Sequence, residues 1–232
     1  MKAIRNNIPN AITSLNLLCG CLACIAAFSC FDPMCDTALK GYQWAFILIG
    51  LAAVADFCDG LVARMLHAVS DIGAELDSLA DLVSFGIAPA MVLYNMMLEH
   101  GEGHWALLAM LLPVFGAIRL ARYNTDPTQG TVFTGLPIPA NAIFWIGFTA
   151  WYATYPTPLW MVVVLIVALS LLMVCNMRMF SLKMHNLSSL KENWAQYLQV
   201  VATVAFVVLM GLRGLAPAIM LYVLLSIIKR EK

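Results

Sequence analysis

Long apolar segments run through almost the whole chain, and they constrain its fold more than any other feature. A helix needs roughly 20 apolar residues to cross the hydrocarbon core of a bilayer, and eight segments are close to that length. They cover about residues 12–30, 42–66, 75–98, 104–122, 136–155, 157–175, 195–211 and 214–229. Because 62% of the residues are hydrophobic and only 11% are charged, the composition indicates an integral membrane protein.

The apolar segments lack the strict alternation of polar and apolar residues that a membrane β-barrel shows, so helices are the spanning element. We therefore predict an all-α fold, a polytopic membrane helical bundle of about eight transmembrane helices. The connections are short and no internal repeat is visible, so residues 1–232 are predicted to form a single membrane domain. The net charge is zero, which gives no electrostatic reason to expect a nucleic-acid partner.

The basic residues predict the orientation in the membrane. With eight crossings, both termini lie on one side, and 11 of the 13 Lys and Arg residues fall on or near that side. These are Lys2, Arg5, Arg64, Arg119, Arg122, Arg178, Lys183, Lys191, Lys229, Arg230 and Lys232, against Lys40 and Arg213 on the other side. Since basic residues are concentrated in cytoplasmic segments, we predict a multi-pass protein of the cell membrane with both termini cytoplasmic.

One short stretch departs from this apolar background. The sequence DFCDGLVARMLHAVSDIGAELDSLAD, from Asp56 to Asp81, holds six of the 13 acidic residues. Helical spacing puts on one face of the second span Asp56, Asp59, Gly60, Ala63 and Arg64. The same spacing puts on one face of the third span Gly73, Asp77 and Asp81. Asp71 and Glu75 lie off that face, near the turn, where solvated acidic side chains are expected.

The two faces are predicted to meet in a helical hairpin that turns in the cytoplasm near residue 68. Asp59 and Asp77 each lie 9 residues from that position, while Asp56 and Asp81 lie 12 and 13 residues from it. The four carboxylates should therefore converge at matching depths at the edge of the bilayer. Desolvation and mutual repulsion make such a cluster unfavourable unless it binds cations.

Oxygen ligands alone suit a hard cation such as Mg²⁺ or Mn²⁺. Four carboxylates are enough for two divalent cations about 4 Å apart, an arrangement used in phosphoryl transfer. Gly60 and Gly73 have no side chain, so a bulky ligand can approach the backbone there. Arg64, one turn beyond Gly60, is placed to bind a phosphate.

The spacing D-x2-D-G-x2-A-R-x8-G-x3-D-x3-D, present without a gap in the stretch Asp56–Asp81, resembles the signature of the CDP-alcohol phosphatidyltransferases. The flanking segments PNAITSLNLLCG, SFGIAPA, RLARYN and FTGLPIPAN are similar to those of the bacterial and archaeal membrane-embedded phosphatidylserine synthases. The resemblance covers about residues 8–141 closely and the remainder only in its hydropathy.

The resemblance implies roles for individual residues. Asp56, Asp59 and Asp77 would bind two divalent cations with Asp81 nearby, and Asp81 would be the general base. The CDP-diacylglycerol-binding residues would be Gly60, Arg64, Ser70, Gly73, Asn10 and Thr13. A homodimer is also implied by resemblance only.

The predicted reaction is transfer of the phosphatidyl group of CDP-diacylglycerol to the hydroxyl of L-serine, with release of CMP. A cation is needed for the serine carboxylate, and Arg119 and Arg122 are the best cytoplasmic candidates, although both are equally compatible with a role as topology anchors. Two alternatives stay open: the same chemistry on glycerol phosphate, inositol phosphate or choline, and an ion transporter with an intramembrane acidic site.

Overall fold

The computed structural model describes residues 2–68, 70–125, 133–179 and 193–228, without the side chains of residues 2–6 and 133. The predictions made for Lys183, Lys191, Lys229, Arg230 and Lys232 lie outside these residues. The α-helices are α1 Lys2–Phe28, α2 Gly41–Met65, α3 Asp71–Asp81, α4 Ala88–Glu99, α5 Leu111–Thr125, α6 Ile138–Tyr152, α7 Leu159–Val174, α8 Trp194–Met210 and α9 Leu215–Ile228. Tighter or wider helical turns cover Leu82–Ile87, Gly103–Met110 and Gly211–Gly214, and two short strands are β1 Phe133–Thr134 and β2 Arg178–Met179.

The predicted all-α membrane fold is confirmed, and each of the eight apolar segments coincides with a helical segment. Within the described residues, five continuous helical stretches are long and apolar enough to cross a membrane. They are Asn7–Phe28, Gly41–Met65, Asp71–Glu99, Gly103–Thr125 and Trp194–Ile228. Helix α7 is apolar but shorter. The count of eight crossings and the cytoplasmic termini stay predictions.

Internal contacts divide the chain into two compact units, Met1–Leu120 and Ala121–Lys232. In the first unit, α1 and α2 form a closely packed hairpin. Gly41 starts α2 directly against α1, where the carbonyl oxygens of Ala26 and Ser29 leave no space for a Cβ atom. Fully buried alanines along the contact include Ala23 and Ala52. Small residues let membrane helices approach closely, which explains this packing in a chain surrounded by lipid.

The third predicted span is a continuous helical rod made of α3, a π-helical segment and α4. The rod begins at Asp71 rather than near residue 75, because Ser70 is the N-cap and its Oγ accepts a hydrogen bond from the Gly73 N–H at 3.1 Å. The π-helical segment Leu82–Ile87 follows directly after Asp81. Such local widening of a helix is frequent at functional sites.

Helix α1 also packs along this rod, running parallel to it. Asn10 on α1 lies against Gly73, and Gly20, further along α1, lies against Ser84 so closely that a Cβ there would overlap the serine hydroxyl. The Ser84 hydroxyl donates to the backbone carbonyl of Asn16 at 3.0 Å. These contacts fix the register of α1 against α3, and this register determines which α1 side chains face the acidic residues of α3.

In the second unit, α6 packs against α9, with Gly147 in contact with the backbone of Ala216. Helices α8 and α9 fold back on each other at Gly211, whose φ is +62°, and the Gln199 side chain donates to the Ala218 carbonyl at 2.9 Å. Strands β1 and β2 pair antiparallel. This small ribbon was not predicted.

Candidate active site

The predicted hairpin of acidic helices is present in the first unit. Helix α2 ends at Met65 and α3 begins at Asp71, so the two acidic helices follow each other closely along the chain. One carboxylate oxygen from each of Asp56, Asp59 and Asp77 lies within 4.8 Å of the other two. The structure therefore brings together these three side chains, as the helical spacing of the sequence predicted.

Asp81 completes the cluster at the end of α3. The Asp56 carboxyl is within hydrogen-bonding reach of those of Asp77 and Asp81, so the fourth carboxylate adjoins Asp56. Asp59 is buried, with 5% of its surface exposed. Its carboxyl lies beside the side chain of Thr13, whose hydroxyl donates to the Pro9 carbonyl at 3.1 Å. Helix α1 thus covers the cluster from one side.

The donor set fits a divalent cation. Among the described residues, Asp59 Oδ2, Asp77 Oδ1 and Asp81 Oδ1 are buried and have no hydrogen-bond partner. Buried carboxylate oxygens without partners are unfavourable, and a cation removes that cost by coordination. Because all the candidate ligands are carboxylate oxygens, the cluster suits Mg²⁺ or Mn²⁺ better than a cation that prefers nitrogen or sulfur ligands.

A cavity of about 210 Å³ opens beside the cluster. Asp59 and Asp77 form part of its wall. All six residues predicted to bind CDP-diacylglycerol line it as well: Asn10, Thr13, Gly60, Arg64, Ser70 and Gly73. The structure therefore brings these six residues together, and their binding role stays a prediction.

The two glycines of the motif lie where larger residues would intrude on this cavity. A Cβ at Gly73 would lie 3.0 Å from both Asn10 Oδ1 and Ser70 Oγ. At Gly60, a Cβ would lie 3.7 Å from Arg64 Nη1, so the guanidinium extends over the glycine. Glycine at both positions keeps the wall flat, and Arg64 supplies a positive charge next to the acidic cluster.

The two arginines predicted to bind serine occupy α5. Arg119 is half-buried and is not among the described side chains that line the cavity. Arg122 is exposed, and its Nη1 donates to the carbonyl of Val174, the last residue of α7, at 2.8 Å. This bond satisfies a free carbonyl at a helix end and favours the structural reading of Arg122. Serine binding by either arginine stays a prediction.

Sequence reasoning missed one residue of this region, Asn16. It is fully buried on α1 and lies beside Asp81. The signal was present, because Asn10, Thr13 and Asn16 recur every three residues along α1. Polar side chains at such positions of a membrane helix point toward a functional site or a buried partner.

Comparison with known proteins agrees with this geometry. The sequence model of the CDP-alcohol phosphatidyltransferase family matches residues 6–152. The match covers the acidic hairpin, α1 and the cavity, and the chain belongs to the CDP-alcohol phosphatidyltransferase family.

Individual relatives carry a more specific name. A Mycobacterium bovis protein is 34% identical over 229 residues, which cover 94% of this chain and 74% of the relative. A Methanocaldococcus jannaschii protein is 41% identical over 142 residues, 61% of this chain and 59% of the relative. A Bacillus subtilis protein is 37% identical over 134 residues, 58% of this chain and 70% of the relative. All three are named CDP-diacylglycerol–serine O-phosphatidyltransferase.

Proposed function

We propose that this protein is a membrane-embedded phosphatidylserine synthase. It transfers the phosphatidyl group of CDP-diacylglycerol to the hydroxyl of L-serine and releases CMP. The family match and the shared name of the relatives support the reaction. The convergence of Asp56, Asp59 and Asp77 within 4.8 Å is the structural observation that carries the proposal. Serine is the acceptor in this proposal because the relatives with the matching flanks are named for it.

Asp56, Asp59, Asp77 and Asp81 are the residues that would hold two divalent cations. When bound, these cations would neutralise charge on the diphosphate and stabilise the CMP leaving group. The fit rests on the unpartnered, buried carboxylate oxygens of the cluster. Mg²⁺ and Mn²⁺ are the proposed ions.

The cavity residues bind and orient CDP-diacylglycerol. The Arg64 guanidinium, which extends over Gly60, forms charge-assisted hydrogen bonds to the diphosphate. Gly73 leaves space for the cytidine ring, and Asn10 and Ser70 lie next to it with polar atoms directed at the same space. Thr13 completes the wall on the α1 side. These contacts hold the reacting phosphorus close to the carboxylate cluster, which lowers the entropic part of the barrier.

Asp81 acts as the general base. The serine Oγ forms a bond to the phosphorus of the phosphatidyl group, the bond from that phosphorus to the oxygen of CMP breaks, and the hydroxyl proton passes to the Asp81 carboxylate. Asp81 is placed for this role because it is the last residue of α3 and lies next to Asp56 of the cluster. Arg119 is proposed to hold the serine carboxylate, and Arg122 is the second candidate because its Nη1 already donates to the Val174 carbonyl.

The proposed location is the cell membrane, with the site on the cytoplasmic side and the protein as a homodimer. The positive-inside distribution of Lys and Arg supports the orientation. Cysteine labelling in intact cells and in open vesicles would test it. In a variant whose native cysteines, including exposed Cys35, are replaced by serine, a cysteine introduced at exposed Ser70 should react only after the membrane is opened. Labelling of this variant in intact cells would contradict the orientation.

The function is tested by measuring CMP release from CDP-diacylglycerol by the purified protein with Mn²⁺ or Mg²⁺, when serine, glycerol phosphate, inositol phosphate and choline are offered separately. We expect serine-dependent release that stops when the cation is chelated. Release with another alcohol and none with serine would overturn the acceptor assignment. Cation uptake into vesicles without any lipid turnover would overturn the enzymatic class in favour of a transporter.

A further inference from the structure

Asn16 is a buried polar residue whose side-chain amide forms no hydrogen bond that stabilises the fold within the described part of the chain. It is 0% exposed, and both its amide atoms, Oδ1 and Nδ2, lack a hydrogen-bond partner among the described residues. An unpartnered buried amide destabilises a protein, and the cost is larger within a membrane helix, where no water is available. A residue kept in this state needs an explanation beyond packing.

Other buried or half-buried asparagines of the chain show what a structural role looks like. Asn141 accepts a hydrogen bond from Trp145 Nε1 at 3.1 Å, and Asn95 donates to the Met91 carbonyl at 2.8 Å. Both side chains are paired within their own helix. The Asn16 side chain differs from them because it is not paired within its own helix and lies instead beside Asp81 on another helix.

The register of α1 against α3 places Asn16 next to Asp81. Asn10 opposes Gly73 and Gly20 opposes Ser84, an offset of 63 and 64 residues. The same offset places Asn16 against positions 79–80, next to Asp81. The amide does lie beside the Asp81 carboxyl, and Asp81 Oδ1 is itself buried without a hydrogen-bond partner. An amide donor and a carboxylate acceptor that have no other hydrogen-bond partner among the described residues thus lie side by side.

We propose that Asn16 is a positioning residue for Asp81. Its Nδ2–H group donates to one carboxylate oxygen of Asp81 when substrates are bound, and it thereby turns the other oxygen toward the hydroxyl of the acceptor alcohol. The inference rests on the proposed function, in which Asp81 takes the proton of that hydroxyl. Hydrogen bonds at catalytic sites often tighten only in the substrate complex, so we expect this contact to shorten when substrates bind.

The test compares Asn16→Leu, which removes the amide at nearly constant volume, with Asn141→Leu, which removes a paired buried amide. For Asn16→Leu we expect kcat for CMP release to fall about 10- to 100-fold, the effect of losing one hydrogen bond to a charged group. The KM for CDP-diacylglycerol should stay within about twofold, since Asn16 is not among the cavity-lining residues. The melting temperature should be unchanged or higher, whereas Asn141→Leu should lower it.

Asn16→Asp is the second variant, because it keeps the shape but replaces the N–H donor with a carboxylate oxygen and adds a negative charge beside Asp81. Its kcat should fall at least as far as that of Asn16→Leu. Full activity in either variant would overturn the proposal, as would a melting temperature of Asn16→Leu lowered as much as that of Asn141→Leu. Wild-type protein that turns over another alcohol but not serine would overturn only the acceptor, and the variants would then be compared with that alcohol. Wild-type protein without turnover of any alcohol would overturn the proposed function and this inference together.

Discussion

Replacing Asp59 with Asn should raise the stability of the cation-free protein and abolish its response to divalent cations. Asp59, Asp56 and Asp77 have carboxylate oxygens within 4.8 Å of one another. Two ionised carboxylates at that distance repel by about 3.5 kcal/mol at an effective dielectric constant of about 20. Two of the three pairs include Asp59, so the substitution removes about 7 kcal/mol of repulsion if all three are ionised, and less if protons already neutralise part of the charge.

The assay is thermal unfolding of the purified protein in detergent, first with EDTA and then across a titration with MnCl2. For the wild type, cation at about 100 times its dissociation constant adds about 2.7 kcal/mol to the free energy of unfolding. For a chain of this size that corresponds to a rise of roughly 5–11 °C in melting temperature. Asp59→Asn should start at an equal or higher melting temperature and show no rise with Mn²⁺.

Glu75→Gln is the matched control, since it removes one negative charge from the same hairpin at an exposed position of α3. It should keep both the starting melting temperature and the Mn²⁺ response of the wild type. A normal Mn²⁺ response in Asp59→Asn, or a cation-free variant clearly less stable than the wild type, would refute the idea that mutual repulsion among these carboxylates is relieved by a bound cation.

Three further outcomes are expected. Asp81→Asn should lower kcat about 10²- to 10⁴-fold while CDP-diacylglycerol still binds, because a general base acts only on the proton. Single-turnover kinetics and equilibrium binding measure the two effects, and near-normal rates would exclude the role of general base. Gly73→Ala should raise the KM for CDP-diacylglycerol, since the new methyl group would lie 3.0 Å from Asn10 Oδ1 and push the Asn10 side chain into the cavity. An unchanged KM would mean that the ligand does not reach this wall of the cavity. Gly211→Ala should lower the melting temperature because φ at this residue is +62°, a conformation that alanine disfavours. Gly50→Ala should raise the melting temperature slightly, because Gly50 is helical and no atom lies within 4 Å of the new Cβ. Equal effects in the two variants would contradict this account of the α8–α9 turn.

The acidic hairpin was predictable because its information is local. Helical periodicity decides that Asp77 and Asp81 share one face of α3, and the distance from the turn decides that Asp59 and Asp77 reach the same depth. The apolar segments likewise predicted the helices, since lipid admits few other ways to satisfy the backbone. Helix starts were less accurate: Ser70 begins α3 several residues before the apolar segment, because a cap depends on one hydrogen bond rather than on hydropathy.

The packing of α1 over one side of the carboxylate cluster was harder to predict. Asn10 and Thr13 were assigned to the site only through a motif resemblance, and the spacing within α1 does not say which helix it faces. The paired strands β1 and β2 were missed for the same reason, since each has two residues and depends on a partner far along the chain.

By itself, the sequence determined that this chain is a helical membrane protein with carboxylates gathered on two facing helices, because hydropathy and helical spacing act within a few turns of the chain. Only the tertiary structure decided that Asn16 faces Asp81 and that Asn10 and Ser70 converge beside Gly73. The physical reason is that the register between α1 and α3 is set by contacts between distant residues. Ser84 fits there against Gly20 and bonds to the Asn16 carbonyl, and no local pattern encodes that fit.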